Sequence, residues 1–119
     1  MLRKLRVLVV DNEPSIPEVL RDLFEPEHDV VMATSPGEAV TILDHDVFDV
    51  LVTDYNMPGM DGCVLSELAV EKCGAYCILL TGNDLADVRG SGAVASVYQK
   101  PLRWGKLAAE VRAVGERIA

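Results

Sequence analysis

Five short apolar runs, separated by segments with helical spacing, are the feature that most limits how this chain can fold. Each run is rich in Val, Ile and Leu and is too short to be a helix of its own; the runs span residues 5–10, 29–33, 47–53, 76–80 and 94–98. Three of them are nearly continuous apolar stretches, which is typical of strands covered on both faces of a parallel sheet. The pattern therefore predicts parallel strands with helices on both sides.

The first and last intervening segments predict the clearest helices. In the first, apolar residues recur three and four positions apart; they are Ile16, Val19, Leu20, Leu23 and Phe24. The apolar stripe of the last consists of Leu107, Ala108, Val111, Val114 and Ile118. The polar face of that last helix carries Glu110, Arg112 and Glu116. We expect the apolar stripes to pack on the sheet and the polar face to meet solvent.

Shorter signals predict three more helices. Ser35, followed by Pro36 and Glu38, is a capping box that starts the second helix. A third contains residues 64–68 and ends near Gly74, and a weak fourth covers residues 83–89. Strand and helix thus alternate five times in 119 residues, which predicts a single α/β domain over 1–119, built as an open, doubly wound, three-layer parallel sheet.

Charge and composition exclude several classes of protein. A formal net charge of −8 argues against a direct nucleic-acid binder, which needs clustered Lys and Arg. The apolar run near the amino terminus is interrupted at Asp11 before it could form a signal peptide or cross a bilayer, so we expect a cytoplasmic protein without membrane contact. For Cys63, Cys73 and Cys77 we expect buried, reduced thiols, with a metal or redox role as the alternative.

Polar residues stand where four of the apolar runs end. Asp11 and Asn12 follow the first run, Asp54 the third, Thr81 the fourth and Lys100 the fifth. Taken singly, each is explained as a loop or helix cap. Taken together they predict one crevice, because ligands of open α/β sheets bind outside the carboxyl ends of the strands.

The segments that contain these residues resemble a response-regulator receiver domain of bacterial two-component signalling. They read VLVVDNEP at 7–14, LVTDYNMPGMDG at 51–62, LLTG at 79–82, and Lys100-Pro101. The resemblance implies a flavodoxin-like fold with strand order 2-1-3-4-5. It also implies that Asp54 accepts a phosphoryl group from a histidine kinase, that Thr81 and Lys100 are the family's hydroxyl and lysine, and that the carbonyl of Asn56 helps to bind magnesium.

The chemistry of phosphoryl transfer accounts for these residue types. An aspartate that attacks a phosphoryl group brings two anions together, so cations must lie beside it. Mg²⁺ prefers oxygen ligands, which Asp11, Asn12, Asp54 and the carbonyl of Asn56 offer. Lys100 adds a second positive charge. We expect a phosphoacceptor with at most slow self-catalysed dephosphorylation rather than an enzyme. Its partners would be a sensor kinase or phosphotransfer protein and a downstream target or effector domain.

The chain departs from the family pattern at several positions. Asn12 replaces the second acid after the first strand, which predicts weaker metal binding. Val97 occupies the position of the family's switch aromatic, and Tyr98 lies one step further, on the other face of a strand. The segment from Thr81 to Lys100 is shorter than usual. Asn56 and Asn83, two positions past Asp54 and Thr81, are expected to admit water and shorten the lifetime of the acyl phosphate.

These departures keep other functions open. The main alternative is a pseudo-receiver that binds a protein partner without phosphoryl chemistry. A small-molecule phosphotransferase or phosphatase is disfavoured because a chain of this length has no room for a large substrate pocket. A flavin-binding module is disfavoured because no phosphate-binding loop follows the first strand. We expect Met1 to be the natural start, and the chain to be a single-domain regulator or a receiver cut from a longer protein.

Overall fold

Five parallel strands form one sheet in the order β2-β1-β3-β4-β5. The computed structural model describes residues 4–82, 85, 88 and 90–118. The strands are β1 (Arg6–Val10), β2 (Asp29–Ala33), β3 (Val50–Asp54), β4 (Tyr76–Thr81) and β5 (Val94–Gln99). The predicted parallel sheet and its strand order are confirmed.

Four helices lie within the described residues: α1 (Ser15–Phe24), α2 (Pro36–His45), α3 (Gly62–Cys73) and α4 (Trp104–Ile118). The capping box of α2 is present, since the Ser35 hydroxyl accepts the backbone N–H of Glu38 at 3.1 Å. Gly74 ends α3 in the left-handed region, at φ 67°. The helix predicted over 83–89 lies largely outside the described residues, so α4 is the helix expected to be the fifth.

Helices cover both faces of the sheet, and each face has its own apolar core. On one face α1 and α4 pack against the central strands through Leu20, Phe24, Leu107, Val111 and Val114. On the other face α2 and α3 contribute Ala39, Leu43, Leu65 and Ala69. Strand β3 is buried along its whole length, whereas every second residue of the edge strand β5 is exposed. This three-layer arrangement leaves the carboxyl ends of the strands uncovered for a site.

Two side-chain predictions for the helices are wrong. Val19, predicted on the core stripe of α1, is 42% exposed. Helix α1 therefore contacts the sheet along a stripe narrower than its apolar pattern. Glu110, predicted on the solvent face of α4, is instead half-buried against the sheet. The prediction for the Ile118 side chain falls outside what the structure describes.

The cysteines agree with the expectation of reduced thiols. Cys63 and Cys77 are buried, Cys73 is partly buried, and all three are free. Burial raises the pKa of the Cys77 thiol to about 11, so it stays protonated and unreactive at neutral pH. In the part of the chain that the structure describes, no helix is both long and apolar enough to cross a membrane.

Candidate functional site

Three charged residues meet at the carboxyl edge of the sheet. The Nζ of Lys100 lies 3.1 Å from Oδ2 of Asp11 and 3.4 Å from Oδ1 of Asp54. Asp11 is 1% exposed and Asp54 is 7% exposed, so both carboxylates are taken largely out of water. The structure therefore brings together the three residues that the sequence places after β1, at the end of β3 and after β5.

Backbone hydrogen bonds fix the ends of these strands beside one another. The N–H of Asp11 donates to the carbonyl of Ala33 at 3.2 Å, and the N–H of Tyr55 donates to that of Leu80 at 2.8 Å. The N–H of Lys100 donates to the carbonyl of Thr81 at 2.7 Å. These bonds continue the pairing of the sheet one step past the strands. Because β3 lies between β1 and β4, Asp54 lies between Asp11 and Thr81 along this edge of the sheet.

The other predicted site residues lie around this cluster with different exposure. Thr81 ends β4 and has no exposed surface. Asn12 and Asn56 are exposed, in the loops that follow β1 and β3. Asn83 lies outside the described residues. The structure thus places Thr81 at the same edge as Asp54, next to the backbone of Lys100, and the two asparagines in loops open to water.

Burial and the neighbouring charges both shift the pKa values of Asp54 and Lys100. Burial raises the pKa of Asp54, and the neighbouring charge of Asp11 raises it further, against the opposing effect of Lys100. Burial tends to lower the pKa of Lys100, but its hydrogen bond and attraction to Asp11 and its attraction to Asp54 outweigh this and raise it. Lys100 is therefore an ammonium ion shared between two carboxylates that repel each other.

The carboxylate oxygens of Asp11 and Asp54 are suitable ligands for a hard divalent cation. With Asn12 in place of a third acid, the site carries one negative charge fewer than a site with three carboxylates. Asp11 Oδ2 and Asp54 Oδ1 contact the same Nζ atom, so they are at most about 6.5 Å apart. Mg²⁺ takes one or two carboxylates and keeps several waters. In the described residues no group of three or more His, Cys, Asp or Glu side chains converges. Asn12 and the carbonyl of Asn56 are the predicted uncharged ligands, and both residues are exposed in loops at this edge.

Glu13 does not supply the missing charge. Its backbone N–H donates to Oδ1 of Asp11 at 2.9 Å, whereas its side chain accepts the hydroxyl of Ser15 at 3.2 Å. The carboxylate of Glu13 is thus bound at the start of α1, and the residue reaches the cluster only through its backbone. Weaker metal binding remains the prediction from Asn12.

Replacing Asn12 with Asp is expected to tighten Mg²⁺ binding about tenfold, because a further charge near the ion adds roughly 1 kcal/mol or more of attraction. A two-dimensional amide NMR titration with MgCl₂ measures the affinity. Glu13→Gln is the matched control and should leave it unchanged. Equal affinities of Asn12→Asp and the parent chain would contradict the prediction, and a loss in Glu13→Gln would show that Glu13 compensates.

Gly62 is a residue whose role the sequence did not reveal. A Cβ added there would lie 2.4 Å from the carbonyl oxygen of Asp54 and 2.6 Å from Cδ2 of Leu79. Its N–H donates to the carbonyl of Tyr55 at 2.8 Å, and the preceding Asp61 caps α3 by accepting the N–H of Val64 at 2.9 Å. The start of α3 is therefore packed directly on the backbone of Asp54. The sequence signal that could have indicated this contact is a glycine at the junction between the loop after Asp54 and the start of α3.

Val97 and Tyr98 lie on opposite faces of β5, as predicted. Val97 is 37% exposed and lines a groove of about 420 Å³ that also includes Leu79 and Leu85. Tyr98 faces α4, where its hydroxyl donates to Oε1 of Glu110 at 2.5 Å. Its place one step past the position of the switch aromatic predicts that Tyr98 has no conventional switching role, and this stays a prediction.

Comparison with known proteins identifies the family to which the chain belongs. The family model described as "Response regulator receiver domain" matches residues 7–112. A protein-glutamate methylesterase/protein-glutamine glutaminase of Methanospirillum hungatei is 32% identical over 111 residues, covering 85% of this chain and 31% of that protein. The transcriptional regulatory protein TcrA of Mycobacterium tuberculosis is 30% identical over 118 residues, covering 95% of this chain and 47% of that protein. The chain thus spans less than half the length of these relatives.

A solved structure of a response regulator is also similar to this chain. The response regulator TrrA of Thermotoga maritima, crystallised in complex with Mg²⁺-BeF, is 29% identical and superposes with a TM-score of 0.80, covering 94% of this chain and 99% of that one. The comparisons confirm the resemblance seen in the sequence motifs and give no support to the pseudo-receiver alternative.

Proposed function

Because this chain belongs to the response regulator receiver domain family of two-component systems, we propose that it accepts a phosphoryl group on Asp54 in a Mg²⁺-dependent reaction. The donor is a sensor histidine kinase or a phosphotransfer protein in the cytoplasm. The observation that carries the proposal is the ammonium of Lys100 between the buried carboxylates of Asp11 and Asp54, at 3.1 Å and 3.4 Å. That arrangement supplies both an acceptor and a cation in one crevice.

The residues of the cluster have separate tasks in the transfer. An oxygen of Asp54 attacks phosphorus and forms a new O–P bond, while the bond to the donor breaks and the donor group leaves with its electron pair. The raised pKa of Asp54 makes its carboxylate a more basic nucleophile. Lys100 moves from the carboxylates to the incoming phosphoryl oxygens and neutralises their charge. The Thr81 hydroxyl donates a hydrogen bond to one of them.

Mg²⁺, held by Asp11, Asp54, Asn12 and the carbonyl of Asn56, would neutralise the remaining charge on the phosphoryl oxygens. Asp11 also pairs with Lys100 at 3.1 Å, so the same carboxylate holds the cationic side chain beside the acceptor. No substrate is turned over in this scheme. Slow loss of the phosphoryl group to water, near the exposed Asn56, regenerates Asp54.

The output of the reaction is a change in the surface offered to a protein. Adding a phosphoryl group introduces about −1.5 to −2 charges and strong acceptor oxygens at a buried site, which biases the domain between two states. The partner that responds is a separate downstream protein or an effector domain attached to the receiver domain. A net charge of −8 disfavours direct contact with nucleic acid.

The proposal is tested with acetyl phosphate and MgCl₂, followed by intact-protein mass spectrometry. The parent chain is expected to gain one phosphoryl group, and Asp54→Asn to gain none. Asp61→Asn is the matched control, because it removes another carboxylate of the same loop and Asn still caps α3. No adduct on the parent chain, or an equal adduct on Asp54→Asn, would overturn the proposal.

A further inference from the structure

We propose that Tyr98 and Glu110 are positioning residues that hold Lys100 between Asp11 and Asp54, an inference that rests on the proposed phosphoryl transfer. Three hydroxyl groups from two strands converge on the one carboxylate of Glu110. Tyr76 donates to Oε2 at 2.7 Å, Tyr98 donates to Oε1 at 2.5 Å, and Ser96 donates to Oε2. This three-hydroxyl cluster attaches α4 to β4 and β5.

The edge position of β5 explains why such an attachment matters. β5 is the last strand of the sheet and pairs with β4. Its register is irregular near its start, where Cys77 pairs with Val94 but Ile78 pairs with Ser96, so that Ala95 is bulged. A strand that is hydrogen-bonded along one side only and interrupted by a bulge is less constrained than a central strand, so its side-chain contacts matter more for its position. Ser96 and Tyr98 fix it to α4 through Glu110.

Lys100 depends on this attachment because it directly follows β5, two residues after Tyr98. Its side chain is a flexible four-carbon stem, so a shift of the strand end would carry Nζ away from the two carboxylates that it contacts. Its backbone is held by the N–H bond to the carbonyl of Thr81 at 2.7 Å. The hydroxyl of Tyr98 supplies a second fixed point on the same strand end.

The protonation states suit strong hydrogen bonds in the cluster. Burial raises the pKa of Tyr98, and its hydrogen bond to Glu110 raises it further, so the hydroxyl remains a donor. Burial opposes ionisation of Glu110, but the hydrogen bonds from Ser96, Tyr98 and Tyr76 outweigh it and lower the pKa of Glu110. Hydroxyl groups thus donate to an anion, the stronger class of hydrogen bond.

The chain offers a matched pair of variants. Tyr98→Phe and Tyr76→Phe each remove one hydroxyl hydrogen bond to the same carboxylate, but Tyr76 begins β4 at the opposite edge of the sheet from Lys100. A merely structural cluster would respond equally to both changes. A positioning cluster responds to Tyr98→Phe, because small displacements of a catalytic cation cost rate steeply.

Two quantities are measured for the parent chain and each variant. The first is the rate constant for phosphoryl uptake from acetyl phosphate with Mg²⁺, and the second is the NMR chemical shift of the ¹³C-labelled Lys100 ε-carbon. Tyr98→Phe is expected to slow uptake about five- to tenfold and to shift the ε-carbon resonance, while Tyr76→Phe changes the rate less than about twofold and leaves the resonance in place. Glu110→Gln, which keeps shape and acceptor oxygen but loses the charge, should fall between them.

Equal effects of the two Phe variants, or no effect of either, would overturn the positioning role. If the parent chain takes up no phosphoryl group, the proposed function fails. In that case the Lys100 resonance still decides the inference, because it reports the position of the ammonium without any transfer.

Discussion

Replacing Lys100 with Met is expected to slow phosphoryl uptake by Asp54 about a hundredfold, the usual scale for removing one charge-stabilising group from a buried site. Lys100 is the cation that contacts both carboxylates, at 3.1 Å and 3.4 Å. Met retains an unbranched apolar stem that is only one atom shorter, so the change removes mainly the charged group. Mass spectrometry of the adduct against time, with acetyl phosphate and saturating MgCl₂, measures the effect.

The same variant is expected to lose stability in a pH-dependent way. Without the ammonium, two largely buried carboxylates face each other, and the free energy of unfolding should fall by about 2 kcal/mol at neutral pH. Burial and Asp11 already raise the pKa of Asp54 above its unfolded value. A carboxyl group with a raised pKa costs stability while ionised, and this cost disappears as pH falls through its folded pKa. The deficit of Lys100→Met relative to the parent chain should therefore shrink from pH 7 towards about pH 4.

Lys72→Met is the control for both measurements. Lys72 pairs with Asp44 on the surface, in contact with solvent and far along the chain from the site. Screened surface pairs contribute little, so neither the uptake rate nor the pH profile of stability should change comparably. Urea unfolding at several pH values gives the comparison. A deficit in Lys100→Met that grows on acidification would mean that the two carboxylates are not repelling each other in the fold.

Gly62→Ala is expected to destabilise the fold by about 2–3 kcal/mol and to impair Asp54 at the same time. The added Cβ would meet the backbone carbonyl of Asp54 at 2.4 Å, a contact that side-chain rotation cannot relieve. The start of α3 must then move away from the end of β3. Because the displaced atom belongs to the acceptor residue, phosphoryl uptake should fall together with the free energy of unfolding.

Gly37→Ala is the matched control, since Gly37 also lies in the first turn of a helix and a Cβ there meets nothing within 4 Å. Alanine favours helix more than glycine, so this variant should be neutral or slightly more stable. Urea unfolding of both variants supplies the test. Similar stabilities for the two would refute a close contact between α3 and Asp54.

Much of the site was predictable because its residues stand at sequence boundaries. Asp11, Asp54 and Lys100 each follow an apolar run, and the carboxyl ends of parallel strands must share one edge. The motifs around them were specific enough to indicate the family, which the comparisons confirm. The roles of Thr81, Asn12 and Asn56 remain predictions, although the structure places all three at this edge.

Glu110 and Val19 show where the sequence pattern was insufficient. Both predictions rested on helical periodicity, which identifies a face but not its exact edges. Glu110 is half-buried because its carboxylate accepts hydrogen bonds from the hydroxyls of Tyr76, Ser96 and Tyr98. These residues lie between 12 and 34 positions away along the chain. No local pattern contains that information.

The amino-acid sequence by itself determined the alternation of strands and helices, the parallel sheet and the edge at which its polar residues gather, because these follow from local periodicity and from where apolar runs stop. The tertiary structure alone decided which partners each polar group meets: Lys100 between two carboxylates, Gly62 against the backbone of Asp54, and Glu110 beneath three hydroxyls. Such contacts join distant segments, and their distances depend on how whole elements pack rather than on any residue's neighbours in the chain.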